Sequence, residues 1–309
     1  MSKILVTGGA GFIGSNFSNM MAEKGHDVTV IDDLSFGVKQ NLTDKVRLVE
    51  GDVNKEEDLD GCGKSFDYIV HLAASSSAPM FAKDMYWAYQ NNVAGHVQVM
   101  QYAKKIGAKK MLFASTSSIY GNNPTPLTED QEVVPPNHYS VTKFAQEGAA
   151  RVFSGVHDLE IIAFRFMSVY GLNEEHKKNF ANLVSQFIWG MARGERPTLY
   201  GDGTQERDFT NVKDVVQGIE LAMNSDKKYG FEIFNIGTNK SINLIELVAL
   251  INKVMGKNIE PKFIENPVKE GYVKNQLASV RKIEKELGFH QTVELEDGIR
   301  EIVENLKKH

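Results

Sequence analysis

The chain has 309 residues, a length that favours two domains or one large one. Hydrophobic residues make up 42% of it and charged residues 24%, which excludes a disordered chain, a collagen-like repeat and a small protein held together by disulfides. The formal net charge is −5 and no five like charges occur in a row, so the basic surface that nucleic acid requires is not expected.

The single cysteine, Cys62, predicts neither an internal disulfide nor a cysteine-rich metal site, and it suits a reducing compartment. No stretch approaches the roughly 18 apolar residues of a membrane span. The first residues run directly into a strand pattern, without the apolar segment of a signal peptide. We therefore expect a soluble, cytoplasmic protein with no metal and no nucleic-acid or membrane partner.

Strand-like and helix-like segments alternate through the first half of the chain. Residues 4–6 form a short apolar run that ends in glycines, as a buried parallel strand does. Ile13, Phe17, Met20 and Met21 then recur at helical spacing. Later apolar runs predict strands at 28–31, 46–49, 68–72, 111–114, 161–166 and 231–236. This alternation favours an α/β fold with a doubly wound parallel sheet that is covered by helices on both faces.

The alternation changes after about residue 171. Residues 173–179 are polar and loop-like, residues 180–193 predict a helix, and a glycine-rich segment follows at 199–209. Residues 244–255 carry the apolar stripe of an amphipathic helix. We expect a sheet domain of residues 1–171 and 208–237, and a second, smaller mixed α/β domain of residues 172–207 and 238–309.

A glycine-rich loop, TGGAGFIG at residues 7–14, joins the first predicted strand to the first predicted helix. Side chains there would block the tight turn, the approach of a pyrophosphate or the packing of helix on strand, and the helix amides then meet the phosphates. Asp32 ends the next strand, 18 residues after Gly14. Its carboxylate would accept hydrogen bonds from ribose hydroxyls and repel a 2′-phosphate. The pattern predicts a Rossmann-type site for NAD and not NADP.

The third predicted strand is followed by Asp52 and Val53. Because the strand ends of such a sheet meet at one edge, these residues could contact the adenine of the dinucleotide. An ordinary acidic loop explains the same two residues equally well.

Tyr139 and Lys143 are four residues apart on a predicted helix and therefore share a face. The strand at 111–114 leads into hydroxyl residues that include Thr116. A phenol with a pKa of about 10 is a poor base at neutral pH, but a neighbouring lysine cation lowers that pKa. With Thr116 bonded to the same substrate oxygen, the set predicts proton removal from an alcohol while hydride moves to NAD. The alternative is an amphipathic helix with a surface lysine.

Several motifs together resemble the extended short-chain dehydrogenase/reductases, and within them the UDP-glucose 4-epimerase group of nucleotide-sugar enzymes. The resemblance covers nearly the whole chain. Its motifs are TGGAGFIG, HLAA (71–74), NNVAG (91–95), STSSIYG (115–121), YSVTK (139–143), FRFMSVYG (164–171), LYGDGTQERDF (199–209) and FNIG (234–237).

The resemblance implies a role for each matching position. Contact with NAD is implied for Gly8, Gly11, Phe12, Ile13, Asp32, Asp33, Asp52, Val53, Leu72, Ala73, Ala74, Asn92, Ser115, Tyr139, Lys143 and Phe166. Contact with a UDP-sugar is implied for Ser77, Thr116, Ser168, Asn182, Leu183, Leu199, Tyr200, Arg207, Lys269 and Gln276. Thr116, Tyr139 and Lys143 would be catalytic, and the Arg207 guanidinium would grip the pyrophosphate, with a surface salt bridge as the alternative.

Three positions bear on the substrate. Ser168 stands where the family usually has an asparagine at the diphosphate. Lys269 replaces an arginine, and an ordinary solvated lysine is an equal interpretation. Gln276 falls at a position that lies beside the sugar in this family.

The residues after Thr116 separate the related reactions. Dehydratases of the family carry an Asp-Glu pair where this chain has Ser117 and Ser118, and removal of water needs such an acid and base. We therefore expect a UDP-hexose 4-epimerase of the glucose/galactose type. A dehydratase, a reductase and a UDP-glucuronate 4-epimerase remain alternatives, as does a non-enzymatic NAD sensor, which would lack the tyrosine or lysine. The family also implies a homodimer through the helices near 93–106 and 139–153.

Overall fold

The structure, a computed structural model, describes residues 1–267 and 272–307. Its strands are β1 (Lys3–Thr7), β2 (Asp27–Asp32), β3 (Arg47–Glu50), β4 (Tyr68–His71), β5 (Lys110–Thr116), β6 (Glu160–Phe166), β7 (Ser168–Tyr170), β8 (Thr198–Tyr200), β9 (Glu206–Arg207), β10 (Phe209–Asn211), β11 (Phe231–Ile236), β12 (Ile242–Asn243) and β13 (Lys262–Ile264). Its α-helices are α1 (Phe12–Glu23), α2 (Glu56–Cys62), α3 (Met85–Tyr89), α4 (Gly95–Lys105), α5 (His138–His157), α6 (Leu183–Ala192), α7 (Val212–Asn224), α8 (Leu244–Met255), α9 (Arg281–Leu287) and α10 (Leu295–Leu306). Over these two ranges, each helix is too short or too polar to span a bilayer.

Seven strands form one sheet in the order β11-β6-β5-β4-β1-β2-β3, and every neighbouring pair is parallel. Ile4, Leu5 and Val6 of β1 are wholly buried. A continuous apolar run is what a strand needs when both faces of the sheet are covered. The predicted doubly wound parallel α/β fold is confirmed.

Each face of the sheet packs its own apolar layer. Side chains alternate between the layers, as the pleat of a strand requires: Val6 and Val30 lie in one layer, whereas Leu5 and Ile31 lie in the other. The first layer includes residues of α1 and α7, and the second includes residues of α4 and α5. The carboxyl ends of the strands are thereby fixed at one edge, where ligands of such sheets bind.

A third apolar cluster lies among α6, α8 and α10, with Tyr170, Ile188, Leu247 and Ile299 among its buried members. Three two-stranded sheets accompany it: β7 with β10, β8 with β13, and β9 with β12. The division at 171/172, 207/208 and 237/238 stays a prediction.

The chain returns to the first apolar layer after residue 272. Ala278, Val280, Ile283 and Phe289 are buried there together with Phe234 of β11. The backbone of Leu127 fixes this return, since its N–H donates to Leu277 and its carbonyl accepts from Ser279, both at 2.8 Å.

Candidate active site

A cleft of about 420 Å³ opens at the carboxyl ends of the central strands. Of the residues predicted to contact NAD, those on its wall are Gly8, Gly11, Phe12, Ile13, Asp32, Asp33, Asp52, Val53, Leu72, Ala73, Ala74, Ser115, Tyr139, Lys143 and Phe166. Of those predicted to contact a UDP-sugar, Ser77, Thr116, Ser168 and Gln276 lie on the same wall.

The glycine loop leaves no room for side chains. Gly8 has φ +67°, and a Cβ added to it would lie 2.6 Å from the backbone nitrogen of Ala73. A Cβ on Gly14 would lie 2.2 Å from the Gly8 carbonyl oxygen. At the N-cap of α1, Gly11 offers no side chain to the first amides, and the first turn carries no acid. Those amides can therefore face an anion, which fits the pyrophosphate of a dinucleotide.

Asp32 is held at the edge of the cleft by two backbone amides. Its Oδ2 accepts a hydrogen bond from the N–H of Ala10, and its Oδ1 accepts one from the N–H of Leu34, both at 2.9 Å. Burial raises the pKa of this carboxyl, while the amide hydrogen bonds lower it. Each carboxylate oxygen has further lone pairs for hydroxyl donors, so the side chain fits a ribose diol.

Asn92 is the predicted cofactor residue that does not line the cleft. It is wholly buried, its Oδ1 accepts from the N–H of Ser75 at 2.7 Å, and its Nδ2 donates to the Thr142 hydroxyl at 2.9 Å. These bonds tie the chain after β4 to α5. The Asn92 amide therefore helps to position α5, the helix that carries Tyr139 and Lys143.

The three predicted catalytic residues meet on one wall. Thr116 ends β5, and Tyr139 and Lys143 lie in the first turns of α5, which begins with a capping box at Asn137. The Lys143 amino group donates to the Ala114 carbonyl at 2.8 Å and to Gln146 Oε1 at 3.2 Å. The spacing of four residues thus places phenol and amine on the same cleft.

Burial dominates the electrostatics of this set. It raises the pKa of Tyr139, whereas a hydrogen bond with Thr116 lowers it. Burial also lowers the pKa of Lys143 to about 7, against the attraction of Glu147, which raises it. In the protein alone, Thr116 is therefore the neighbour that favours the phenolate. The expected effect of Lys143 on Tyr139 stays a prediction for the protein with NAD bound.

A buried ion pair lies behind Lys143, and sequence reasoning did not find it. Arg165 of β6 donates to both oxygens of Glu147, from Nε at 3.0 Å and from Nη2 at 2.8 Å. The Ser115 hydroxyl donates to Oε1 of Glu147 at 2.6 Å. Both charged side chains are 4% exposed. The network joins β5, β6 and α5 and so holds Thr116 opposite Tyr139.

Two of the substrate-side predictions, Ser168 and Gln276, bond to each other. The Ser168 hydroxyl donates to Oε1 of Gln276 at 2.9 Å, and Nε2 of Gln276 donates to the Ser117 hydroxyl at 2.8 Å. Because Ser117 is neutral and engaged with an amide, it offers no acid beside Thr116. Ser77 lines the cleft, and its hydroxyl has no hydrogen-bond partner among the described residues, which leaves it available to a ligand.

The other substrate-side predictions are not on this wall. Leu199 is wholly buried in the third cluster, and the Asn182 side chain caps α6 by accepting from the N–H of Val184 at 3.0 Å. Leu183 and Tyr200 are likewise absent from the cleft lining. Lys269 lies outside the described residues.

Among the described residues, the partners of the Arg207 guanidinium are backbone carbonyls and an aromatic ring. Its guanidinium donates to the carbonyls of Val273 at 2.7 Å and Lys274 at 2.9 Å. It also stacks over the ring of Tyr272, with 5.5 Å from Cζ to the ring centre. These neighbours occupy the fork, so its contact with a pyrophosphate stays a prediction.

Sequence reasoning missed five further residues that line the cleft. They are Phe36, Trp87, His176, Lys177 and Phe180. The Lys177 amino group lies 5.3 Å from the centre of the Phe12 ring, at the first residue of α1, and pairs with the buried Glu174 carboxylate at 3.1 Å. These residues belong to loops and short helical turns, where hydrophobic periodicity gives no signal.

Comparison with known proteins identifies the family of this chain. Residues 4–237 match the model of the NAD dependent epimerase/dehydratase family. The chain belongs to that family, which confirms the resemblance seen in its motifs and the NAD cofactor.

The individual proteins that this chain resembles include enzymes named UDP-sugar 4-epimerases. The chain is 32% identical over 320 residues to UDP-glucose 4-epimerase of Corynebacterium glutamicum, covering 98% of this chain and 94% of the relative. A UDP-N-acetylglucosamine 4-epimerase from Methanobrevibacter ruminantium, solved in complex with UDP-N-acetylmuramic acid, has a TM-score of 0.92 at 30% identity, covering 100% and 99% of the two chains. UDP-glucose 4-epimerase of Thermotoga maritima, solved with UDP-glucose, has a TM-score of 0.92 at 31% identity, covering 99% and 98%.

Proposed function

We propose that the protein is an NAD-dependent UDP-hexose 4-epimerase of the glucose/galactose type. One observation carries the proposal: Thr116, Tyr139 and Lys143 share a cleft with the glycine loop and Asp32. A proton-transfer set and a dinucleotide site on one wall favour oxidation and reduction of an alcohol. The names of its relatives, which are UDP-sugar 4-epimerases, support the substrate class.

Each residue of the set has a separate task in this reaction. The Thr116 hydroxyl hydrogen-bonds the sugar 4-hydroxyl and orients it towards Tyr139. Tyr139 removes the proton from that oxygen and later returns it, while the buried Lys143 amine stabilises the phenolate. Bound NAD supplies the acceptor and donor of the hydride at carbon 4. Between the two transfers the flat 4-keto sugar turns over, so the protein must hold the nucleotide more firmly than the sugar.

The neutral side chains beside Thr116 support epimerisation over dehydration. Ser117 accepts a hydrogen bond from Gln276, and Ser118 follows it on the same short turn. Removal of water from carbons 5 and 6 needs a positioned acid and base, which two hydroxyls supply poorly at neutral pH. Return of hydride to the same carbon needs neither.

We also propose a homodimer formed through α4 and α5. The outer face of α5 carries Val141, Phe144, Val152 and Val156, which are 40–69% exposed. Apolar side chains that recur at this helical spacing favour burial against another surface, and a second copy of the chain provides a matching one. A cytoplasmic location and the division into an NAD-binding and a sugar-binding domain belong to the same proposal.

A substrate panel tests the function. The purified protein is denatured and assayed for released NAD, and fresh protein is mixed with UDP-glucose, UDP-N-acetylglucosamine and UDP-glucuronate labelled with deuterium at carbon 4. The 4-epimer should form without added cofactor and keep its deuterium, whereas Tyr139→Phe should retain NAD and lose about 10²–10⁴-fold in rate. Deuterium lost to solvent or a 4-keto-6-deoxy product would refute the assignment.

A further inference from the structure

Three aromatic side chains meet on the wall of the cleft. The ring centres of Phe36 and Trp87 are 6.4 Å apart, and those of Phe36 and Phe180 are 6.5 Å apart with the rings at 87°. All three line the cleft, and Phe36 and Phe180 are 39% and 36% exposed. Phe36 contacts both of the other rings. We call Phe36, Trp87 and Phe180 the aromatic bridge.

The position of Phe36 follows from the carboxylate predicted to hold the ribose. The N–H of Leu34 donates to Asp32 at 2.9 Å, and a Cβ on Gly37 would lie 2.7 Å from the same carboxylate. The loop is therefore folded tightly over Asp32. Phe36 therefore lies beside the predicted ribose site, on the wall of the cleft.

The partners of Phe36 stand on two other segments of the chain. Trp87 lies in α3, where its N–H donates to the capping carboxylate of Asp84 at 2.9 Å. Phe180 ends a short helical turn that is bonded to the loop after Asp32 through His176 Nδ1 and Asn41 Nδ2, 3.3 Å apart. The three rings belong to separate segments of the chain and contact one another through their side chains. Such contacts can part and re-form without disturbing the sheet.

We propose that the aromatic bridge closes over bound NAD and slows its release between turnovers. The proposal deepens the proposed function, on which it rests: an epimerase returns the hydride within each cycle and gains nothing from exchange of its cofactor. Because the three rings line the cleft and two of them are part-exposed, they stand between its interior and solvent, and release of NAD requires the ring contacts to part. Parting exposes further apolar surface to water, which opposes release.

Exchange of bound cofactor measures this directly. Protein loaded with isotope-labelled NAD is diluted into excess unlabelled NAD, without any sugar, and the label that remains bound is followed over time. Phe36→Ala removes both ring pairs and should speed release about tenfold or more. Phe180→Ala removes one pair and should have a smaller effect, while Phe36→Tyr should restore slow release. Tyr86→Ala is the matched control, since Tyr86 is 80% exposed in the same helix as Trp87 and is absent from the cleft lining.

Failure of the aromatic bridge and failure of the epimerase assignment give different results. Release from Phe36→Ala and Phe180→Ala at the wild-type rate, with unchanged thermal unfolding, would overturn the bridge. Equal acceleration in Tyr86→Ala would overturn it too, because the effect would then not depend on the ring contacts. A wild-type protein that exchanges NAD slowly but converts no UDP-sugar would refute the epimerase and leave the bridge supported.

Discussion

Two walls of the cleft are held in place by different kinds of contact. The glycine-loop wall, formed by Gly8, residues 11–14, Asp32 and Ala73, follows the ends of strands that the parallel sheet fixes, and backbone amides hold its Asp32 carboxylate. The glutamine wall, formed by Ser117, Ser168 and Gln276, consists of side chains that bond to one another across long stretches of sequence. The first wall fits a ligand common to many enzymes, and the second can vary without disturbing the sheet. Recognition of cofactor and of sugar can therefore change independently.

The buried ion pair behind Lys143, between Glu147 and Arg165, should give the largest effect when it is broken. Glu147→Gln leaves the buried Arg165 guanidinium without its anion, so the free energy of unfolding should fall by about 3–5 kcal/mol in urea titration. Glu294→Gln is the control, because Glu294 pairs with Lys240 and both side chains are about 60% exposed. Its loss should be no more than about 1 kcal/mol. Equal losses of unfolding free energy in the two variants would mean that the buried pair contributes no more to stability than the exposed one.

The glycine-loop wall should respond next most strongly. In Gly14→Ala the new methyl group overlaps the Gly8 carbonyl, so the loop must shift, at about 1–3 kcal/mol of stability. NAD binding, followed by calorimetry, should weaken with it. Gly61→Ala in α2 is the control, since a Cβ there meets nothing within 4 Å and should stabilise the helix slightly. Unchanged NAD affinity in Gly14→Ala would show that the tight turn is not required.

The glutamine wall should give the smallest and most selective effect. Gln276→Ala removes hydrogen bonds to Ser117 and Ser168, each worth about 0.5–1.5 kcal/mol. The KM for the UDP-sugar should change several-fold, and the preference among sugars should shift, while bound NAD stays at the wild-type level. Gln291→Ala, which removes a hydrogen bond to the Val293 carbonyl, is the control. A loss of NAD in Gln276→Ala would contradict the independence of the two walls.

The glycine-loop wall was also the part that could be predicted from sequence. Buried parallel strands need continuous apolar runs, and the turn after β1 admits only glycine at Gly8 and Gly14, so local sequence records both. The position of Asp32 follows from the same pattern. Tyr139 and Lys143 could be placed because four residues make about one helical turn.

The remaining contacts have no local signal. Gln276 meets Ser117 across 159 residues, and Arg207 bonds to carbonyls of a segment 66 residues away. Their partners depend on where the loops settle after the sheet has formed. The aromatic bridge is similar, since its residues at 36, 87 and 180 lie in a loop, a short helix and a helical turn and show no common spacing.

The return of the chain to the first apolar layer limits how this protein can be divided. Ala278, Ile283 and Phe289 cover Phe234 and Ile236 at the edge strand β11. A fragment that stopped after β11 would expose the side chains of Phe234 and Ile236 to water. It would also remove the hydrogen-bond partners of the Leu127 backbone. Residues 278–289 of the C-terminal part of the chain therefore complete the apolar layer on β11. Exchange of the sugar-binding segments between relatives must keep this C-terminal part together with the sheet.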